Sequence, residues 1–189
     1  ITDSDLKRLD RAGGRAVRFN FLKRLVDNAP RDIFHNIAKR IANLGWHVVV
    51  YIEAEDLEDL VPFLQSLPTD IIFDHMARPD VTAGLNSPNF TLFQKIMENE
   101  KFWCKASCPE RLSKKGPEKN YSDILPFMRL LIENYSERVL WGTDWPHPNM
   151  KSHMPDDGKL VDILEEIAPT PELQRKLLVD NPMRLYWDN

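Results

Sequence analysis

Hydrophobic and polar positions follow two rhythms along this chain. Short apolar, β-branched or aromatic runs at 16–21, 48–52, 70–73, 102–106 and 138–141 read as buried strands. Between them apolar residues recur at helical spacing. In 32–44, Ile33, Ile37, Ile41 and Leu44 form one stripe, and Gly45 suits the position just past the helix end. The window 55–67 repeats the pattern with Leu57, Leu60, Val61 and Leu64. Windows 90–101 and 123–135 do the same, the latter with Ser122 as N-cap. Windows 157–167 and 171–179 and a last turn from Pro182 complete the helical set. Thr170-Pro171 and Asn181-Pro182 each place a capping residue before a proline. The opening ITDSDLKRLDRAGG reads as the end of a helix with its exit turn.

Strand alternating with helix five times predicts an α/β protein with a parallel sheet and crossover helices. No GxGxxG and no Walker loop occurs, so a nucleotide-binding doubly wound sheet is disfavoured. The remaining architecture is the (β/α)₈ barrel, which usually takes about 250 residues. A chain of 189 residues that opens on Ile1 and holds five units fits part of such a barrel, as one domain over 1–189. The expected form is an open, curved five-stranded sheet with an exposed apolar interior. Two loops, 108–121 and 144–158, are long for connections after strands, and long loops there tend to carry function.

Composition narrows the function classes. The chain is 29% charged and 42% hydrophobic, an ordinary globular balance. With 25 Lys+Arg against 29 Asp+Glu, the formal charge is −4, which gives no electrostatic case for nucleic acid or an anionic membrane as partner. No apolar run approaches the roughly 20 residues that span a bilayer. Two cysteines, Cys104 and Cys108, cannot build a disulfide framework, so a reducing, cytoplasmic setting is expected. Their CxxxC spacing has no second pair, which argues against a zinc site of their own.

In barrels the chemistry gathers at the C-terminal ends of the strands. The polar residues there are Arg18, Asn20 and Arg24, then Tyr51 and Glu53, then Asp74, His75 and Arg78, then Lys105, Ser107 and Arg111, then Asp144 and His147. Bland roles compete for each. Asp144 can cap a turn, His75 can be a bonded core histidine, Arg18 can pair with an acid such as Glu53, and Tyr51 can simply pack. His35, His47 and His153 fall where no chemistry is expected.

RFNFLKR from Arg18, FDHMARPDV from Phe73, WCKASCPERLSKKGP from Trp103, WGTDWPHPN from Trp141 and NPMRLYW near the end resemble the amidohydrolase superfamily. Within it they resemble the 2-pyrone-4,6-dicarboxylate hydrolase family of lactonases, which acts in the breakdown of lignin-derived aromatics. The resemblance implies a (β/α)₈ barrel with strands four to eight present, so that the chain looks like the C-terminal two-thirds. The superfamily's strand-one His-x-His pair has no counterpart here, and Tyr51 stands where a metal-binding histidine would. The implied enzyme is therefore metal-free: no cofactor, with zinc as the alternative. Its substrate would be a small planar lactone bearing two carboxylates. The resemblance implies Asp144 as general base, His75 polarising the carbonyl, Arg18, Arg24 and Arg111 clamping the carboxylates, and Tyr51 adding a hydrogen bond. Two rival readings remain: a zinc-dependent lactonase or decarboxylase acting on another acid, and an inactive part of a barrel that complements a partner chain.

Overall fold

The computed structural model describes residues 1–22, 30–148, 150–151 and 153–187. Five parallel strands form one sheet: β1 (Ala16–Asn20), β2 (His47–Tyr51), β3 (Ile71–Phe73), β4 (Phe102–Ser107) and β5 (Val139–Gly142). They lie side by side in chain order, each paired in parallel to the next. Every predicted strand is present, with no end shifted by more than one residue. Unbroken sequential order is that of a barrel wall rather than of a doubly wound sheet, which reverses at its middle.

The helices are α1 (Asp3–Arg11), α2 (Arg31–Ala42), α3 (Leu57–Ser66), α4 (Pro88–Met97), α5 (Pro109–Leu112), α6 (Leu125–Asn134), α7 (Asp157–Asp162), α8 (Leu164–Ile167), α9 (Pro171–Arg175) and α10 (Asn181–Tyr186). A π-helical turn, Lys176–Asp180, joins the last two. One face of the sheet, with Val48, Val50, Ile71, Phe73, Phe102, Cys104 and Val139, packs on apolar faces of α2, α3, α4, α6 and α8. Burying side chains of this size contributes roughly 1.5–3 kcal/mol each before the entropy of ordering them is subtracted.

Several expectations are corrected. Residues 1–14 hold a whole helix with its own start: the Thr2 hydroxyl accepts from the Asp5 amide, and the Asp5 carboxylate accepts from the Thr2 amide. Ile33 faces solvent, because the apolar stripe of α2 is centred on Ala38 and Ile41. Ile124 rather than Ser122 occupies the N-cap of α6. The 157–167 helix breaks at Ile163 into two short pieces. Asn181 does not cap. Its amide is buried and donates to the Ser136 and Val139 carbonyls, tying α10 to β5. Thr170 does cap, accepting from the Leu173 amide.

The other face of the sheet is also corrected, since it is not an exposed apolar surface. Val49, Ile72, Trp103 and Leu140 form a second buried cluster closed by Leu185 of α10, with Tyr186 packed against it. His47 sits on this side, 2% exposed, its ring edge-on to Tyr186 at 5.0 Å. Neither of its ring nitrogens has a hydrogen-bond partner among the described residues.

Burial, with the Lys105 charge adding to it, lowers the His47 pKa from 6.5 to about 4. The unfolded chain therefore binds a proton that the folded chain refuses between those values. The stability that His47 supports is intact above about pH 6.5 and is lost as the pH falls toward 4, by up to about 3 kcal/mol. Urea unfolding at pH 7 and pH 4 should show a lower midpoint in acid, and His47→Phe should shrink that drop. Parallel drops in the two proteins would show that His47 does not contribute.

Candidate active site

Because the strands are parallel, their C-terminal ends share one rim. Register puts Arg18 beside Val49, Asn20 beside Tyr51 and Lys105 beside Leu140, so alternate residues carry polar groups onto the side away from the helices. The chain is forced into unusual backbone where it leaves β3, β4 and β5. His75, Met76, Ala77 and Arg78 all have φ between 52° and 56°, Cys108 has φ 65° and Asp144 has φ 66°. Left-handed backbone costs an L-residue roughly 1–2 kcal/mol. Such strain clusters where side chains have to be aimed.

Those turns bring His75, Cys108 and Asp144 together. His75 is 6% exposed; its Nδ1 lies 2.8 Å from the Ser107 hydroxyl and its Nε2 lies 3.6 Å from Asp144 Oδ1. Burial, reinforced by Lys105 and Arg18, lowers the His75 pKa against the opposing pull of Asp74 and Asp144. The imidazole is therefore neutral at neutral pH. Asp144 Oδ2 lies 3.3 Å from Arg111 Nη2 and accepts from the Cys108 thiol at 3.6 Å. Burial, then Glu110 and Asp144, push the Cys108 pKa far upward, so the group stays a thiol.

Around this trio sit ion pairs. Arg18 Nε donates to Asp74 Oδ2 at 2.6 Å, and its guanidinium lies 4.6 Å from the centre of the Tyr51 ring. Lys105 Nζ reaches the other Asp74 oxygen at 2.8 Å. Burial would raise the Asp74 pKa, but Lys105, His75 and Arg18 together hold it below the usual carboxylate range. Arg78 donates to Glu53 at 2.8 Å and to the Tyr51 hydroxyl at 3.1 Å. Arg111 also donates to the Pro148 carbonyl.

Of the residues expected from sequence, Arg18, Tyr51, His75, Arg111 and Asp144 are brought to this one rim. Arg24 lies outside the described residues. The bland pairing expected for Arg18 goes elsewhere: Arg78 takes Glu53, and Arg18 takes Asp74. His147, 3% exposed, bridges Glu110 and Asp157 at 3.2 Å each, which fastens the loop after β5 to α5. Sequence reasoning gave no role to Ser107, Cys108, Asp74, Lys105 or Arg78. The available signal was position alone, since each lies at a strand end or in the turn after it.

A hollow of about 630 Å³ lined by Trp46, His47, Trp103, Arg138 and Arg184 lies at the opposite, N-terminal ends of the strands. In barrels that end serves stability, so chemistry rather than volume locates the site.

The amidohydrolase profile matches residues 1–187.

The chain belongs to the amidohydrolase family.

Among curated proteins it is 60% identical over 194 residues to a 2-pyrone-4,6-dicarboxylate hydrolase of Comamonas testosteroni, covering 99% of this chain and 64% of that protein. It is 32% identical to a 4-sulfomuconolactone hydrolase of Hydrogenophaga intermedia, covering 98% of this chain and 62% of that protein. The chain thus spans less than two-thirds of the length of these curated relatives. Among solved structures, a candidate 2-pyrone-4,6-dicarboxylic acid hydrolase from Pseudomonas putida superposes with a TM-score of 0.84 at 30% identity. That match covers 98% of this chain and 68% of the other.

A solved amidohydrolase of Burkholderia multivorans that shares this fold, at 15% identity and a TM-score of 0.68, carries bound zinc. One ligand atom each from His75, Cys108 and Asp144 lie within 4.8 Å of one another. By distance the three could hold a metal ion. Their surroundings do not suit one. The Asp144 carboxylate already faces the Arg111 guanidinium and accepts from the Cys108 thiol. Lys105 and Arg18 add positive charge beside His75. Among the described residues no helix is long and apolar enough to cross a membrane.

Proposed function

We propose that the protein hydrolyses the lactone of 2-pyrone-4,6-dicarboxylate to an open-chain tricarboxylate of the 4-oxalomesaconate type, without a metal cofactor. The observation that carries this reading is the pairing of Asp144 with a neutral His75 inside a ring of arginines. The 60% identical relative, a 2-pyrone-4,6-dicarboxylate hydrolase, supports the same substrate.

Asp144 takes a proton from water, and the oxygen attacks the ring carbonyl. In the tautomer in which the Ser107 hydroxyl donates to His75 Nδ1, the ring proton sits on Nε2, the nitrogen facing Asp144, from which it donates to the developing oxyanion. The ring C–O bond breaks, and Asp144 returns its proton to the departing enol oxygen. Arg18, Arg24 and Arg111 hold the two carboxylates, and the Tyr51 hydroxyl supplies a further hydrogen bond. A guanidinium suits this because its planar fork matches a carboxylate.

The test incubates the purified protein with the pyrone diacid, identifies the product by mass and measures bound metal by elemental analysis. Addition of one water, with zinc far below one per chain and turnover unaffected by chelator, is expected. Near-equimolar zinc that turnover requires would overturn the metal-free reading. No ring opening by a folded protein would overturn the substrate.

A further inference from the structure

We propose that Asp74 and Lys105 are positioning residues that aim Arg18 at one carboxylate of the substrate; this rests on the lactone reading above. The arginines at the rim are not equivalent. Arg78 is held through Nε by Glu53 and through Nη1 by Tyr51. Arg111 spends Nη2 on the Pro148 carbonyl and on Asp144. Arg18 is held differently: only Nε is engaged, at 2.6 Å from Asp74 Oδ2, and no described residue takes its two terminal nitrogens. Its guanidinium carbon lies over the Tyr51 ring, 4.6 Å from the ring centre. One side-on anchor and one ring contact leave the Nη1–Nη2 edge unclaimed by any described residue, on a side chain 47% exposed. That edge can take a carboxylate with two parallel hydrogen bonds.

Asp74 alone would be a poor anchor. Its side chain is 5% exposed, and one carboxylate against one guanidinium would cancel the charge that attracts an anion. Lys105 resolves both problems. Its ammonium satisfies the second carboxylate oxygen, and the trio Arg18, Asp74, Lys105 then carries one net positive charge. Sequence places Asp74 at the end of β3, next to His75, so the same turn that aims the imidazole aims the guanidinium. The trio therefore reads the carboxylate, while Asp144 and His75 carry the bond-making and bond-breaking steps.

Charge and position make opposite predictions for Asp74→Asn. Removing a negative charge near an anionic ligand should tighten binding if electrostatics alone matters. If Asp74 positions Arg18, binding weakens, because an amide offers one acceptor to two cations. The experiment measures binding of benzene-1,3-dicarboxylate and of benzoate by calorimetry, alongside KM and kcat for the pyrone diacid. In Asp74→Asn and in Lys105→Met, the dicarboxylate Kd and KM should rise about 10-fold or more, while benzoate should change by less than about 3-fold. In an Arg18→Met background, Asp74→Asn should add little further loss, since the group it aims is gone. Unchanged or tighter dicarboxylate binding by folded Asp74→Asn overturns the proposal, as does full additivity with Arg18→Met. Where Asp74→Asn unfolds, Lys105→Met decides: unaltered dicarboxylate affinity in that variant overturns the proposal equally. Failure of the lactone reading shows separately, as absence of pyrone hydrolysis by the unaltered protein, and leaves the binding comparison interpretable.

Discussion

Replacing Asp144 by Asn should lower kcat for pyrone hydrolysis by at least 100-fold and leave KM within about 3-fold, because loss of a general base typically costs about 10²–10⁴ in rate. The amide keeps the shape of the side chain and a partner for the Cys108 thiol and Arg111, both of which meet Oδ2. What disappears is the proton acceptor beside His75 Nε2. Steady-state kinetics with the pyrone diacid checks this. Near-normal turnover would leave Asp144 as a turn residue that neutralises Arg111, and the base would have to be sought elsewhere on the rim.

Arg18→Met should raise KM for the diacid by about 10–150-fold, the equivalent of losing a charge-assisted hydrogen-bonded partner worth roughly 1.5–3 kcal/mol. A pyrone with a single carboxylate, lacking the one that Arg18 holds, should lose far less. Arg18→Lys should recover only part, since an ammonium has no planar fork. Arg111→Met should behave differently, lowering kcat as well as raising KM, because Arg111 also touches the proposed base. Measuring the three variants on both substrates separates the roles. Equal losses on mono- and dicarboxylate lactones would remove the main physical reason for preferring a diacid substrate.

The fold was largely readable from the chain because its two periodicities seldom conflict. Phe102–Ser107 and His47–Tyr51 are too rich in β-branched and aromatic residues to be mistaken for amphipathic helix, and the intervening stripes are long. Errors gathered where tertiary contacts outrank local preference. Asn181 has the chemistry of a cap yet is pulled inward by two carbonyls of the β5 region. Ile33 obeys the helical spacing but lies beyond the edge of the packed face.

The site was legible by residue type and position, not by pairing. Asp144, His75 and Arg18 lie at strand ends, which the barrel architecture marks. Which acid would take which arginine depends on turns near φ 55° at residues 75–78, and no pattern of apolar residues announces them. Cys108 has no role legible in the sequence for the same reason. Read as half of a CxxxC spacing it has no chemistry; set on a left-handed turn it donates to the proposed base.

The left-handed turns also narrow how this site can drift. Asn, Asp and His are the side chains other than glycine that best tolerate that backbone. At positions 75 and 144 the demands of chemistry and of conformation therefore select from the same short alphabet. A lineage changing its substrate can exchange Asp144 for Asn, or His75 for Asn, without disturbing the chain path, whereas a β-branched residue at either place is penalised before any chemistry is tried. Positions 76, 77 and 78 hold Met, Ala and Arg against that preference. A glycine at 76 or 77 would relieve the backbone there at the cost of a freer hinge beneath the imidazole. New activities on this scaffold are thus easier to reach through the exposed end of Arg18 than through the two residues that stand at the turns.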